Sequence, residues 1–251
     1  MRRGLPPIAD HGVGLLAVLL AWQLYVTLGD VPEFLLPAPD RVGQAIVGLA
    51  ADGGLLRHLG FTLGNIVAGF VLGAGLGFAA GVALAASPRA ERWLEGPILL
   101  LQTAPKIALA PLFVIWFGLG VTSKIVLIVS LVAFPVLVGT LIGLRSLDPR
   151  FRDLARILDL TRWQRLRRIE VPAALPDIFA GLRVGAVQAV VGAILGEWMS
   201  GSLGLGYLMT YASATYRTPL LFAAIALTIL VGLLVHLALE ASERRLLSWR
   251  Q

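Results

Sequence analysis

The sequence contains no cysteine, only two lysines, three histidines and few charges of either sign, 14% of its 251 residues. The missing cysteine excludes disulfides, thiolate metal sites and a cysteine nucleophile, while leaving the compartment open. The lysines, Lys106 and Lys124, are followed by Ile107 and Ile125, so neither fits the phosphate-binding pattern G-x-x-x-x-G-K-[ST]. The chain is therefore not expected to hydrolyse ATP or to be an enzyme. His11, His58 and His236 are scattered without metal-ligand spacing, so no metal is expected. "MSG" at Met199–Gly201 with His236 leaves an intramembrane serine protease site incomplete. The glycine-rich "GAGLG" follows no strand and is a poor phosphate cradle, and Gly201 to Gly206 reads instead as a tight external re-entry.

What is present is apolar. Hydrophobic residues make up 57% of the chain, with a mean hydropathy of +0.83, whereas a soluble domain carries about 25% charged residues. Apolar runs of about 18 residues or more recur, the length a helix needs to cross roughly 30 Å of hydrocarbon. They are continuous rather than alternating, which excludes a transmembrane barrel. The expected fold is an all-α polytopic membrane protein forming one transmembrane domain over residues 1–251. About six transmembrane helices are expected, near 13–29, 60–86, 97–118, 122–144, 178–199 and 219–240. Arg2 and Arg3 precede the first run, but no small-x-small cleavage site follows it, so an uncleaved first span is expected.

Charge orients these spans. With the N-terminus inside, Arg2, Arg3, Arg89, Arg92, the arginines from Arg145 to Arg168, Arg244, Arg245 and Arg250 all fall in the cytoplasm. Only Arg41, Arg57, Lys124 and Arg217 fall outside, the asymmetry of the positive-inside rule. Both termini are then cytoplasmic. The net charge of +6 is mostly topological, which removes the case for nucleic acid and makes anionic lipid headgroups the default partner. In span two, Asn65, Gly69, Gly73, Gly77 and Gly81 recur every four residues, giving a stripe along which another helix can approach closely.

Between spans four and five lies a polar insert, about residues 145–177, that reads as two short helices. Asp148 and Pro149 suit the start of the first, and Thr161 with Gln164 has the capping-box spacing for the second. Pro172 is expected to end that second helix at Val171. Trp163 and Leu166 share one face, and Arg162, Arg165 and Arg168 share another. Such a pair can lie on headgroups, pack on its own chain, or serve as a socket for another protein.

Charged and polar residues at membrane depth are candidates for function. Lys106 should lie roughly 14 Å into span three and Glu197 roughly 29 Å along span five. The two are too far apart for an expected ion pair. Lys106 either snorkels to a carbonyl or lines a pathway, and Glu197 is expected at the water interface or in a gate. Gln102 and Gln188 are placed with them as candidates bordering a translocation path, helix–helix bonding being the alternative.

The insert resembles the EAA loop of ABC-importer permeases, in which Glu-Ala-Ala is followed four positions on by glycine and then by a hydrophobic-x-Leu-Pro ending. Asp153-Leu154-Ala155, then Asp159, then "RRIEVPAALP" correspond here. Asp for Glu, Leu for the middle Ala and Asp159 for glycine are departures, although Asp tolerates the left-handed turn better than most residues. "TRWQRLRRIEVPAALPDIFAGLR", "LLPAPDRV", "PKIALAPLFVIWFGLGVTSKI" and "GLGYLM" are similar to the nitrate/sulfonate/taurine branch of these permeases.

The resemblance implies a type I importer in a bacterial-type inner membrane. Its parts would be two permease copies as a homodimer, two cytoplasmic ABC ATPases that bind the ATP and Mg, and an extracytoplasmic substrate-binding protein. This chain would itself hold no cofactor. The insert would be a coupling helix pair, with Asp153, Ala155, Asp159, Leu160, Thr161, Arg162, Trp163, Pro172, Leu175 and Pro176 at the ATPase contact. The solute implied is a nitrate, sulfonate or taurine-type anion, or a pyrimidine or flavin vitamin precursor. An ion-gradient-driven secondary transporter is the alternative, and it leaves the capped insert without a role.

Overall fold

The computed structural model describes residues 8–148, 150–151, 155 and 157–247, and the regular structure among them is entirely helical. Helix α1 covers Ile8–Leu28 and α2 covers Pro39–Ala51. Pro39 opens α2 in the first turn, where its missing N–H breaks no bond, and Asp40 complements the helix dipole there. Helix α3, Gly54–Ala86, starts just after Gly53, whose φ of +69° suits a residue without a Cβ. Helices α4 (Pro88–Thr103), α5 (Ala110–Phe117) and α6 (Val121–Arg145) follow. Beyond the insert come α7 (Arg162–Arg165), α8 (Val171–Ser200), α9 (Leu205–Ala214) and α10 (Thr218–Leu246).

Among the described residues, four helical stretches are long and apolar enough to cross a membrane: Gly54–Ala86, Val121–Arg145, Arg162–Met199 and Thr218–Leu246. Val13–Leu28 and Lys106–Phe117 are shorter apolar helical stretches. The fold is thus that of an all-α polytopic membrane protein.

Two expected spans are corrected. Span three is not one helix. Ala104, which precedes Pro105, takes the extended conformation that a following proline favours, with φ −58° and ψ 131°. The chain then makes a single 3-10 turn, Lys106–Leu109, before α5 resumes at Ala110 with Pro111 in its first turn. Nor does Pro172 end the second insert helix. Residues Arg162–Met199 form one helix of 38 residues, about 57 Å long at 1.5 Å per residue. A π-turn at Leu166–Glu170 accommodates the proline: the Val171 amide bonds back to the Leu166 carbonyl, and Pro172 falls in the first turn of the resumed α-helix. Span five accordingly starts well before residue 178 and carries the basic segment as its own extension.

Helix α6 is the centre of the packing, flanked by α3 and α8. The four-residue stripe of α3 meets it directly. A Cβ on Gly73 would come within 2.8 Å of Val132 Cβ, one on Gly81 within 2.6 Å of Thr140 Cβ, and one on Gly77 would strike the Ala133 carbonyl. On the other flank, a Cβ on Gly143 would sit 2.9 Å from the Ala174 carbonyl, and one on Gly181 2.6 Å from the Pro135 carbonyl. Close backbone approach replaces the hydrophobic effect, which does not drive helices together in lipid. Ile66, Ile128, Val132, Val136, Ala189 and Ala193 fill the space between the three helices.

Candidate functional site

The insert keeps its start and its turn. Asp148 Oδ1 accepts a hydrogen bond from the Arg150 amide at 2.9 Å, as a helix-capping aspartate does. Asp153 lies outside the described residues, and Ala155 is buried. The chain turns at Asp159, whose φ of 46° is left-handed, and the Leu160 amide bonds back to the Ala155 carbonyl at 3.1 Å. The expected capping box then opens α7. The Gln164 amide donates to Thr161 Oγ1 at 3.3 Å, and the Thr161 amide donates to Gln164 Oε1 at 2.9 Å.

This arrangement displays large apolar groups among arginines. Ile157 is 81% exposed and Trp163 67%, with Leu158 and Arg162 exposed beside them. Behind them a cleft of about 500 Å³ is lined by Ser146, Asp148, Phe151, Pro172, Pro176, Asp177 and Leu247, so the two prolines meet the end of α6 and the end of α10 there. Leu175 is half-buried next to them. An exposed Trp beside Arg is a composition enriched where proteins dock.

The residues proposed to border a pathway have different surroundings. Lys106 is half-buried, its Nζ 4.5 Å from the centroid of the Phe134 ring on α6, a cation–π contact rather than a bond to a carbonyl. Gln188 is half-buried on α8. The side chain of Gln102 lies outside the described residues. Glu197 is completely buried, which corrects the expectation of a water-facing interfacial residue.

Glu197 instead organises a polar knot at the far end of α8 from the insert. Its carboxylate accepts from Thr62 Oγ1 at 2.9 and 3.0 Å, from Asn65 Nδ2 at 3.4 Å and from the Gly206 amide at 2.9 Å. The Thr62 hydroxyl accepts in turn from the Leu205 amide at 2.9 Å, and His58 Nδ1 accepts from the Gly204 amide at 3.0 Å. Helix α9 has no side-chain cap of its own. Glu197 supplies one from the preceding helix, satisfying an amide that the first turn leaves without an intrahelical partner. Gly204 adopts a φ of +113°, and a Cβ there would strike the Glu197 carboxyl group, so the turn has room only for glycine.

Lys124, which the charge asymmetry counted on the outer side, is buried in the first turn of α6 close enough to Glu197 to interact with it electrostatically. Its Nζ donates to the Gly120 carbonyl at 3.2 Å, and its stem packs on Gly196, where a Cβ would come within 3.1 Å of Lys124 Cγ. A buried carboxylate with three hydrogen-bond donors and a nearby ammonium is an arrangement in which burial of charge is tolerated. Thr62, His58 and Lys124 carried no pattern that joined them to Glu197. Asn65 stood at the head of the four-residue stripe, and that was its only signal.

The same helical arrangement occurs in the MetNI methionine ABC transporter, solved in inward-facing conformations. One of its chains superposes with a TM-score of 0.67 at 19% identity, covering 76% of this chain and 95% of that one. The two chains therefore share a fold. Residues 73–248 match the binding-protein-dependent transport system inner membrane component family, and the chain belongs to that family as an ABC transporter permease subunit. It is 36% identical to a putative aliphatic sulfonates transport permease of Bacillus subtilis, over 95% of this chain and 87% of that protein. Identity is also 36% to the riboflavin transport system permease of Chloroflexus aurantiacus, over 97% and 91% of the two chains. With the taurine transport system permease of Escherichia coli it is 33%, over 94% and 88%.

Proposed function

We propose that this permease is the translocating subunit of an importer driven by a cytoplasmic ABC ATPase, which docks on the face where Ile157, Leu158, Arg162 and Trp163 are exposed. The observation that carries the reading is the continuity of the helix from Arg162 to Met199. A helix unbroken from the docking face into the packed centre of the membrane domain transmits a push at Arg162 as movement of α8. Gly139, Gly143 and Gly181 set α8 against α6 at backbone distance, so the two move together. Closure of the ATPases would thereby rock the membrane helices between inward-open and outward-open states, a rigid-body transition between two packed arrangements. A second copy of the chain completes the pathway, and an extracytoplasmic binding protein delivers the solute.

Ala155, Asp159, Leu160, Thr161, Arg162, Trp163, Pro172, Leu175 and Pro176, with Asp153, form the docking region in this reading. ATP and Mg belong to the ATPase. The termini are cytoplasmic, in keeping with the arginine asymmetry. The solute is a small sulfonate, nitrate or taurine-type anion, or a pyrimidine or flavin vitamin precursor, a set that, nitrate apart, is supported by what the relatives are named for. Lys106, Gln102 and Gln188 border its path, while Glu197, buried in its knot, holds the frame beside it.

Reconstitution into liposomes with the partner ATPase and binding protein tests this, using labelled taurine, an alkanesulfonate and riboflavin. ATP-dependent accumulation of one of them is expected. Accumulation that needs an ion gradient and ignores ATP would contradict the reading.

A further inference from the structure

A second cleft, of about 800 Å³, opens at the end of the molecule away from Arg162, among the loop after α1, helix α2 and the turn from α9 into α10. Glu33, Asp52 and Arg217 all line it. Among the described residues none of these three makes an ion pair, although charges of both signs share one cavity. Arg217 is held over the ring of Tyr211, its guanidinium carbon 5.7 Å from the ring centroid. Leu49, Leu208 and Leu220 supply an apolar floor.

The walls are fixed before any ligand arrives. Helix α9 is pinned at its first turn by Glu197 and Thr62. His58, Tyr207 and Tyr211 stack in sequence at 6.0 Å spacing, continuing from that knot to the cleft. Thr218 Oγ1 donates to the Phe34 carbonyl at 3.0 Å and ties the loop to α10. A site ordered in advance gives up little entropy on binding, and the volume lies in the range of small-molecule sites, about 300–1,000 Å³.

A purely anionic ligand here would face Glu33 and Asp52, and a purely cationic one would face Arg217. A ligand carrying both charges satisfies all three. We propose that this cleft binds a zwitterion, its oxyanion end on the planar Arg217 fork, which suits oxyanions bidentately, and its ammonium end on Glu33 and Asp52. Two sources share that chemistry: a soluble aminoalkyl sulfonate or carboxylate, and the headgroup of a zwitterionic phospholipid whose chains follow the apolar floor. The site lies wholly in this chain, and its existence does not depend on the ATPase-docking reading.

The test uses the full-length chain in two arms. In nanodiscs of phosphatidylglycerol, calorimetry follows titration with taurine and with β-alanine, and with ethanesulfonate and ethylammonium as single-charge controls. In detergent, native mass spectrometry compares retention of phosphatidylethanolamine with that of phosphatidylglycerol. At least one arm is expected to give saturable zwitterion binding, tenfold or more above its single-charge or anionic control and weakened at least tenfold by Arg217→Met and by Asp52→Asn. Those residues are exposed and lie on different elements, and unchanged gel-filtration and thermal profiles identify folded variants. If neither arm gives binding, or if either folded variant binds as the parent does, the proposal is overturned.

Discussion

The hydroxyl of Thr62 on α3 lies 2.9 and 3.0 Å from the two carboxylate oxygens of Glu197 on α8, and accepts from the amide of Leu205 that opens α9. A single buried side chain joins α3 to two consecutive helices, its partner Glu197 lying 135 positions further along the chain. With Lys124 at the start of α6, the knot ties together the end of the molecule opposite the insert, a frame against which the proposed movement from Arg162 would act.

Glu197→Ala leaves Thr62 and the Gly206 amide buried without their acceptor, which should cost about 3 kcal/mol. Glu197→Gln keeps one acceptor oxygen and should cost less. The thermal midpoint of the purified protein in detergent reports both. Thr62→Ala should lower the midpoint in the parent and add little in the Glu197→Ala background, because the two residues act through one contact. Additive effects would mean that the contact is not shared.

Gly77 and Gly75 lie on the same helix, two residues apart, and face opposite surroundings. A Cβ at Gly77 would strike the Ala133 carbonyl, while one at Gly75 has open space. Gly77→Ala should therefore destabilise the α3–α6 contact by about 1–3 kcal/mol. Gly75→Ala should be neutral or stabilising by up to about 1 kcal/mol, through helix propensity. Midpoints of the two variants measured side by side check this, the first falling and the second not.

Much of this fold was legible because lipid imposes simple rules: continuous apolar runs and small residues at close helix contacts. The left-handed turn at Asp159 and the capping box at Thr161 were legible for local reasons, since each depends on residues within a few positions. Pro172 misled because a proline in sequence does not reveal that a π-turn upstream has placed it in a first turn. Span three misled in the opposite way, an unbroken apolar run hiding the backbone break at Ala104-Pro105. The Glu197 knot was illegible because its partners at positions 62, 65, 124 and 206 meet only once four helices pack, and no spacing along the chain encodes that.

Asp159 holds a φ of 46°, which glycine adopts freely and a β-branched residue resists at a cost of about 1–2 kcal/mol. Asp159→Gly should preserve ATPase binding and ATP-driven uptake. Asp159→Val should weaken both by roughly tenfold, the factor that corresponds to about 1.4 kcal/mol. Pull-down of the partner ATPase by the tagged permease is the direct readout.

Lys106 sits at the break in span three with its ammonium against Phe134. Lys106→Ala should reduce solute uptake severely while leaving the purified complex and its thermal midpoint intact. Normal uptake would remove Lys106 from the pathway.

The central claim is that an ATPase grips the face around Trp163 and drives the helix that begins at Arg162. Gentle purification of the tagged chain from its native membrane, followed by an ATPase assay and identification of what accompanies it, measures this most directly. The account predicts a P-loop ATPase that co-purifies with the parent and is lost when Asp159-Leu160-Thr161-Arg162 is replaced by Gly-Ser-Gly-Ser, with the permease still folded. A chain that purifies alone, carries out ATP-independent uptake in liposomes and tolerates that replacement would contradict it.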